Sequence, residues 1–455
     1  MPQFDWWYST IIKEPHTTTH VFFFQNPDKN MYWYIHGKAY DLTPYLDKHP
    51  GGRYILESVR GLDATALFES YHRPTNNRAI YNIMEKYRVD APALLPTYDW
   101  DHTPIYDDIL NVVLRYKKEH GLKATWATWA WYGFLGVLHH VILWHWILGT
   151  GGWIVPVCLG LTMWFWCGSL LHDGTHYSLC NRPEWSRRIG AWCGWLFVLP
   201  SLWVKQHVVA HHTHTNHEHR DPDMHHYDNL VKNRTPFVSW FSITTERDTF
   251  GFGNLTRMIS IPRSVSWLVP GAVVTNVILS LTYVPTLLQT NRCFGTEELL
   301  AWPRHEKVWA WAQWTMFVLF LAGMGYVRGV AWAFLPFAVC GNVFYACSQV
   351  SHVNAPSQEL DTCREWAHAQ ILACQGDYSY GSAIANALSV GLNNQTIHHL
   401  FPSIHPCHFP ALARRLKPVF KKHALPLSGW TQSYRDSFVA HVAHLRKCTE
   451  GKKIQ

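Results

Sequence analysis

A chain of 455 residues with 30 histidines, 25 tryptophans and only 16% charged residues is unlike an ordinary soluble enzyme, where about a quarter of residues are charged. Low charge with abundant Trp and Tyr suits aromatic rings at the headgroup level of a bilayer, while a mean hydropathy of −0.13 demands a sizeable water-facing part. The formal charge of +7 fits either a surface lying against anionic lipid or ordinary solubility, and no nucleic-acid partner is expected. The 11 cysteines contain no CxxC pair and read as small buried hydrophobes in a reducing compartment. Residues 1–12 lack the basic and apolar regions of a cleaved signal peptide.

From Thr18 the chain alternates short aromatic strands and turns: Val21–Phe24, then Tyr32–Ile35, then a turn at His36-Gly37 into a second strand through Leu42. His49-Pro50-Gly51-Gly52 follows. Proline fixes the backbone and the glycines permit a tight turn, which can aim a histidine ring into a pocket. After a helix-like Tyr54–Arg60, the run Asp63-Ala64-Thr65 leads to His72. His49 and His72, with apolar Leu67 and Phe68 between them, can clamp a haem from both faces. The Pro- and Asp-rich stretch from Ala91 to Pro104 reads as a linker, and Tyr106–His120 as an amphipathic helix stopped by Gly121.

Thr125–Leu148 and Trp153–Leu171 are each long and apolar enough to span a bilayer, joined by a turn at Gly149–Gly152. Ile189–Trp203 is short and broken by Pro200, so it is placed in the interface. Trp267–Leu288, with Pro270 and Pro285, is placed there too. Spans over 308–324 and 327–350, with a turn near Met324–Arg328, complete a set of four. An even number keeps all the histidine groups on one side. Arg187, Arg188 and Lys205 make that side cytosolic by the positive-inside rule. Lys452 and Lys453 near the C-terminus resemble a dilysine retrieval signal of the endoplasmic reticulum; a frayed basic tail fits them as well.

Three histidine groups sit at the ends of these apolar runs. His172 and His176 are four apart, as are His207 and His211, with His212 beside them. Gln395, His398 and His399 are spaced three and four. On a helix each group turns its rings to one side. Imidazole suits iron, copper and zinc. Seven such rings exceed the four ligands of a single zinc and suit two metal ions sharing a site. His352, at the end of the last span, is an eighth candidate. His214, His217, His219, His225 and His226 read as solvated or supporting residues. Asp173, Asp221 and Asp223 can orient ligand imidazoles through the second ring nitrogen or cap the loop.

His-Pro-Gly-Gly with a second histidine after Asp-Ala-Thr and Phe resembles the cytochrome b5 domain over roughly residues 18–95. The resemblance implies haem b with His49 and His72 as axial ligands. Two such ligands leave no open iron position, so the haem would carry electrons. The three boxes, with Leu400-Phe401-Pro402 after the third, resemble the membrane fatty acid desaturase family. The fused haem domain and the Gln opening the third box narrow this to front-end desaturases. These insert a cis double bond between an existing one and the carboxyl end of an acyl chain.

That resemblance implies two non-haem iron ions held by His172, His176, His207, His211, His212, His398 and His399, with Gln395 in the third box and His352 as a further ligand. It also implies O2 as co-substrate, a fatty acyl lipid or acyl-CoA as substrate, NADH-cytochrome b5 reductase as electron source and membrane lipids as surroundings. The expected fold is an N-terminal α+β cytochrome b5 domain (18–95), a linker and amphipathic helix (96–124), an all-α membrane domain (125–440) with about four transmembrane helices, interfacial helices and a cytosolic histidine-box cap, and a basic tail (441–455). The expected location is the endoplasmic reticulum membrane, multi-pass, with the catalytic face and both termini cytosolic.

One departure stands out. The second box is commonly H-x-x-H-H; here it is His207-x-x-x-His211-His212. The longer form resembles some delta-5 and delta-4 members, with delta-6 chemistry still possible. The same cage would serve a sphingolipid delta-8 desaturase or a fatty acyl hydroxylase. Readings of another class are a membrane-anchored haem carrier with inert boxes and a zinc-binding scaffold.

Overall fold

The computed structural model describes residues 32–75, 78–217, 220–223, 237–239, 260–262, 304–358 and 364–449. The strand expected at Val21–Phe24, the stretch Trp267–Leu288, His219, His225, His226 and the lysine tail lie outside them. Strand β1 (Trp33–Ile35) pairs antiparallel with β2 (Lys38–Tyr40), Trp33 facing Tyr40. The two turn residues, His36 and Gly37, take φ of 51° and 73°. Left-handed backbone at both positions matches the right-handed strand twist of a two-residue hairpin. Helices α1 (Arg53–Ser58), α2 (Thr65–His72) and α3 (Ala79–Glu85) close over it. Asp63 starts α2 by accepting from the Thr65 N–H at 3.1 Å. Trp33, Ile35, Tyr40, Leu46, Leu67 and Phe68 fill the core.

The linker is pinned rather than loose: Trp100 is buried and stacks on Trp366 with ring centroids 5.6 Å apart. Helix α4 (Pro104–His120) is amphipathic as expected. It buries Tyr106, Ile109, Val113 and Tyr116 and ends at Gly121, whose φ of 71° a side chain would resist. Then come α5 (Trp126–Leu148), α6 (Ile154–Thr175), α7 (Pro183–Cys193), α8 (Val204–His211), α9 (Arg304–Arg328) and α10 (Val330–His352). A small β3–β4 pair (Phe237–Ser239, Ser260–Pro262) lies between α8 and α9 in the chain. Among the described residues, three helices are long and apolar enough to cross a membrane: Ile154–Thr175, Glu306–Arg328 and Val330–His352. The 23-residue α5 also shows a largely apolar outer face, with Trp126, Trp131, Phe134 and Trp144 exposed.

Helix α6 runs through Thr175, so the second span continues into the first box as the spacing of its histidines predicts, with His172 on the last turn and His176 as the C-cap. One boundary differs from expectation. The reversal placed at Met324–Arg328 falls instead on Gly329 alone, with α9 helical to Arg328 and α10 starting at Val330. Gly329 has φ of 93°, which a residue with a Cβ rarely adopts, so one glycine does the work of a five-residue turn. Helices α11 (Trp366–Ala373), α12 (Gln395–Leu400), α13 (Phe409–Lys422) and α14 (Tyr434–Thr449) complete the described chain.

The N-terminal unit sits directly on the helical part. The Tyr54 hydroxyl donates to the Ser201 carbonyl at 3.2 Å. The fully buried Lys205 ammonium donates to Ser58 Oγ at 2.9 Å. Arg73 reaches Asp107 of α4 at 2.9 Å. Leu199, Leu202 and Val208 share one apolar cluster with Leu46, Leu67 and Phe68. An interface that shares a core is a fixed dock.

Candidate metal centre

The His49 and His72 rings face one another with centroids 6.3 Å apart. Metal–imidazole bonds of about 2 Å on each side, plus the ring radii, add up to roughly that gap. Each ring anchors Nδ1 on a nearby carbonyl, His49 on Gly52 at 3.3 Å and His72 on Phe68 at 2.8 Å. Nε2 is thereby left as the ligand atom on both. Burial, helped by the neighbouring His72, pushes His49 down to about 4, so it is neutral at pH 7 as ligation requires. The pair fits a haem.

The three histidine boxes converge in a second site. The first box is set where α6 crosses α7 backbone to backbone. A Cβ on Gly174 would stand 2.6 Å from the Gly190 Cα, so only glycine fits there. The third box is set by Asp377. Its carboxylate accepts from the N–H groups of Gln395 at 3.1 Å and Thr396 at 2.8 Å, at the start of α12, where negative charge is favoured. Burial pushes the Asp377 carboxyl up to about 6 against those hydrogen bonds.

The second box is not α-helical. Val204–His211 is a π-helix, and the His212 N–H donates to the His207 carbonyl five residues back. The wider turn brings His212 Nε2 within 3.3 Å of His207 Nε2. The four-residue spacing thus works through a different helix from the one its periodicity suggests.

Two groups result. Ligand atoms of His172, His176, His207 and His398 all lie within 4.8 Å of one another, as do those of His211, His352 and His399. The His212 ring stands between them, 4.4 Å from His176 and 4.3 Å from His399, centroid to centroid. His172 Nε2 is 3.0 Å from His398 Nε2, a separation natural for two nitrogens on one ion. His176 Nε2, His212 Nδ1 and His399 Nε2 are buried without a hydrogen-bond partner. Such orphaned atoms are costly in a dry interior and point to a cation. Burial, reinforced by the crowd of rings, holds His176, His207, His212, His398 and His399 well below the ordinary histidine range and therefore neutral. Gln395 is buried beside them, its Oε1 likewise unpartnered. The donor set fits two closely spaced metal ions.

The second ring nitrogens are tied down individually. His172 Nδ1 meets Asp173 at 3.1 Å. His399 Nδ1 meets Gln370 Oε1 at 3.0 Å and Thr215 Oγ1 at 2.9 Å. His352 Nδ1 donates to the Ala373 carbonyl at 3.0 Å. His211 Nδ1 meets Asp221 at 3.0 Å and Asp223 at 3.5 Å. Burial would lower His211, but those carboxylates hold it up at about 9, so it binds a cation by giving up that proton.

Asp173, Asp221 and Asp223 therefore take the orienting part expected of them. His214 does not lie in solvent: it is buried, packed under the second box. Gln370, Thr215 and Asp377 escaped the sequence reading. The only local signal was a lone Gln inside the apolar run Trp366–Ala373.

The geometry defines a class: a protein with membrane-length helices, a bis-histidine clamp that fits a haem and a buried histidine cage that fits two metal ions. Comparison with known proteins narrows it. The family model described as fatty acid desaturase matches residues 152–430, more than half the chain, and the chain belongs to that family. The cytochrome b5-like heme/steroid binding domain model matches residues 18–91. The chain is 24% identical to an acyl-lipid omega-13 desaturase of Chlamydomonas reinhardtii, covering 88% of this chain and 89% of the relative. It is 25% identical to an acyl-lipid (8-3)-desaturase of Mortierella alpina, covering 92% and 94%. It is 23% identical to a Delta(5) fatty acid desaturase of Dictyostelium discoideum, covering 93% and 91%. The protein is an O2-dependent desaturase with a di-iron-type site and a fused cytochrome b5 electron donor.

Proposed function

We propose that the protein is a front-end acyl desaturase acting on polyunsaturated chains, with delta-5 or delta-4 regiochemistry favoured over delta-6. One observation carries the reading: all three boxes and His352 close one buried cage at the ends of two membrane-length helices. His172, His176, His207, His211, His212, His352, His398 and His399 would hold two iron ions, with Gln395 buried beside them. His49 and His72 hold haem b. When bound, the irons supply the oxidising power that, with O2, two electrons and two protons, turns two adjacent methylenes into a cis double bond and two waters. The protein's own part is to keep the imidazoles neutral, to fix each ring by its second nitrogen, and to exclude water from the cage.

Four spans, α5, α6, α9 and α10, support a two-hairpin topology, since α5 at 23 residues covers roughly 34 Å. The cage, the docked haem domain and the basic residues Arg187, Arg188, Arg414 and Arg415 then share the cytosolic face. That is where an NADH-cytochrome b5 reductase would reach the haem at the endoplasmic reticulum. The unit boundaries 18–95, 96–124, 125–440 and 441–455 remain the working division. The relatives' printed names favour a lipid-linked acyl chain over a CoA ester.

The test is expression in yeast fed linoleic, dihomo-γ-linolenic and docosapentaenoic acids in parallel, with gas chromatography–mass spectrometry of total fatty acids and iron counted against haem. A new double bond on the carboxyl side of one substrate is expected, with two non-haem irons per haem. No product with both metals present would redirect the reading to a sphingoid substrate or a hydroxylation. Absence of non-haem iron would leave a plain electron carrier.

A further inference from the structure

The second nitrogens of His172, His211, His352 and His399 are held by residues of the helical part, but that of His176 is held by the haem domain. The Tyr71 hydroxyl lies 2.8 Å from His176 Nδ1. Tyr71 immediately precedes His72 on α2. His176 Nε2 is the ring atom buried in the cage without a hydrogen-bond partner, so Nδ1 carries the hydrogen and donates it to Tyr71 Oη. We propose that Tyr71 is the positioning residue that couples the haem to the di-iron cage. An unbroken covalent path runs from the His72 ring along the backbone to the Tyr71 hydroxyl. One hydrogen bond then completes it to the His176 ring. The inference rests on the reading of the two sites given above.

With haem and iron bound, each transfer would oxidise one ferrous haem to ferric and reduce one ferric ion of the cage to ferrous. No bond breaks and no proton leaves Tyr71 or His176. Tyr71 is also held in place from the far side: its ring meets the Tyr177 ring edge to face, with centroids 5.8 Å apart. Docking does not depend on it, since Tyr54 to Ser201, Lys205 to Ser58 and Arg73 to Asp107 fasten the two parts independently.

The experiment follows the haem and not the product. Full-length protein is reduced by one electron at the haem in stopped flow, and ferrous haem reoxidation is read from its absorbance with iron in the cage. Zinc-loaded protein, whose metal accepts no electron, sets the floor. Tyr71→Phe keeps the ring and removes the hydroxyl. It is expected to slow reoxidation about tenfold or more, with the haem spectrum and iron content preserved. Tyr54→Phe removes a docking hydroxyl that does not touch the cage and should leave the rate at the wild-type value. Unchanged reoxidation in Tyr71→Phe at full iron content overturns the proposal. So does a rate that falls only in proportion to lost iron, or an equal slowing in Tyr54→Phe, which would make docking the cause. A wild-type protein without non-haem iron would instead refute the functional reading itself.

Discussion

The haem clamp and the histidine cage solve the same problem, orienting imidazoles toward metal, over different reaches of chain. In the clamp, each ring is fixed by a carbonyl three or four residues away. In the cage, His172 leans on the adjacent Asp173, but His399 is fixed by Gln370 and Thr215, 29 and 184 residues distant, and His176 by Tyr71, 105 residues distant. A locally fixed site survives as long as its own turn and helix do. A site fixed from afar depends on the whole packing, and it ought to fail in more ways.

Breaking each site separately is the most severe test. His398→Ala should abolish non-haem iron binding and turnover while the haem spectrum stays intact; an active, iron-loaded variant would refute the ligand assignment. His49→Ala should do the reverse, losing haem and turnover but keeping cage iron, with activity returning when free cytochrome b5 is added. Full activity without an added donor would show that the fused haem is dispensable. Gln370→Ala should lower metal affinity by about 10–100-fold without touching the haem, measured by chelator competition. Equal affinity would show that Thr215 alone holds His399.

The smallest effect is on the clamp's scaffold. Glu69 is almost fully buried, and its carboxylate meets His36 Nε2 and Arg73 Nε at 2.6 Å each. Burial opposes its charge, but the His36 hydrogen bond and Arg73 win and hold it below the usual carboxylate range. A depressed carboxylate stabilises the fold above its unfolded pKa and loses that contribution as the pH falls through its folded value. Glu69→Gln should therefore cost about 1–3 kcal/mol near neutrality. It should also flatten the acid limb of haem-domain melting followed at the Soret band. An unaltered acid limb would assign that limb to other carboxylates.

This contrast also explains what was legible in the chain. His49-Pro50-Gly51-Gly52 and His72 disclose the clamp because turn, helix and ligands are contiguous. The boxes disclose the cage's ligands because rings four residues apart share a helical side. Asp173, Asp221 and Asp223 were legible as supports because they lie close in sequence to the rings they hold, but the distant supports were not. Nothing near Asp377 announces that it caps α12, and nothing near Tyr71 points to His176. The expected turn at Met324–Arg328 failed for a related reason: several apolar and small residues competed for the reversal, and only backbone geometry selects Gly329.

The π-turn of α8 bears on how such a box can change length. At 3.6 residues per α-turn, rings at i, i+3 and i+4 face one way. A π-turn, with its i→i+5 bonds, gives the same facing to i, i+4 and i+5. A second box one residue longer than H-x-x-H-H thus keeps its three rings on one side of the coil through a local widening. Register here is elastic by one residue, so box length alone is a poor guide to how the irons are held.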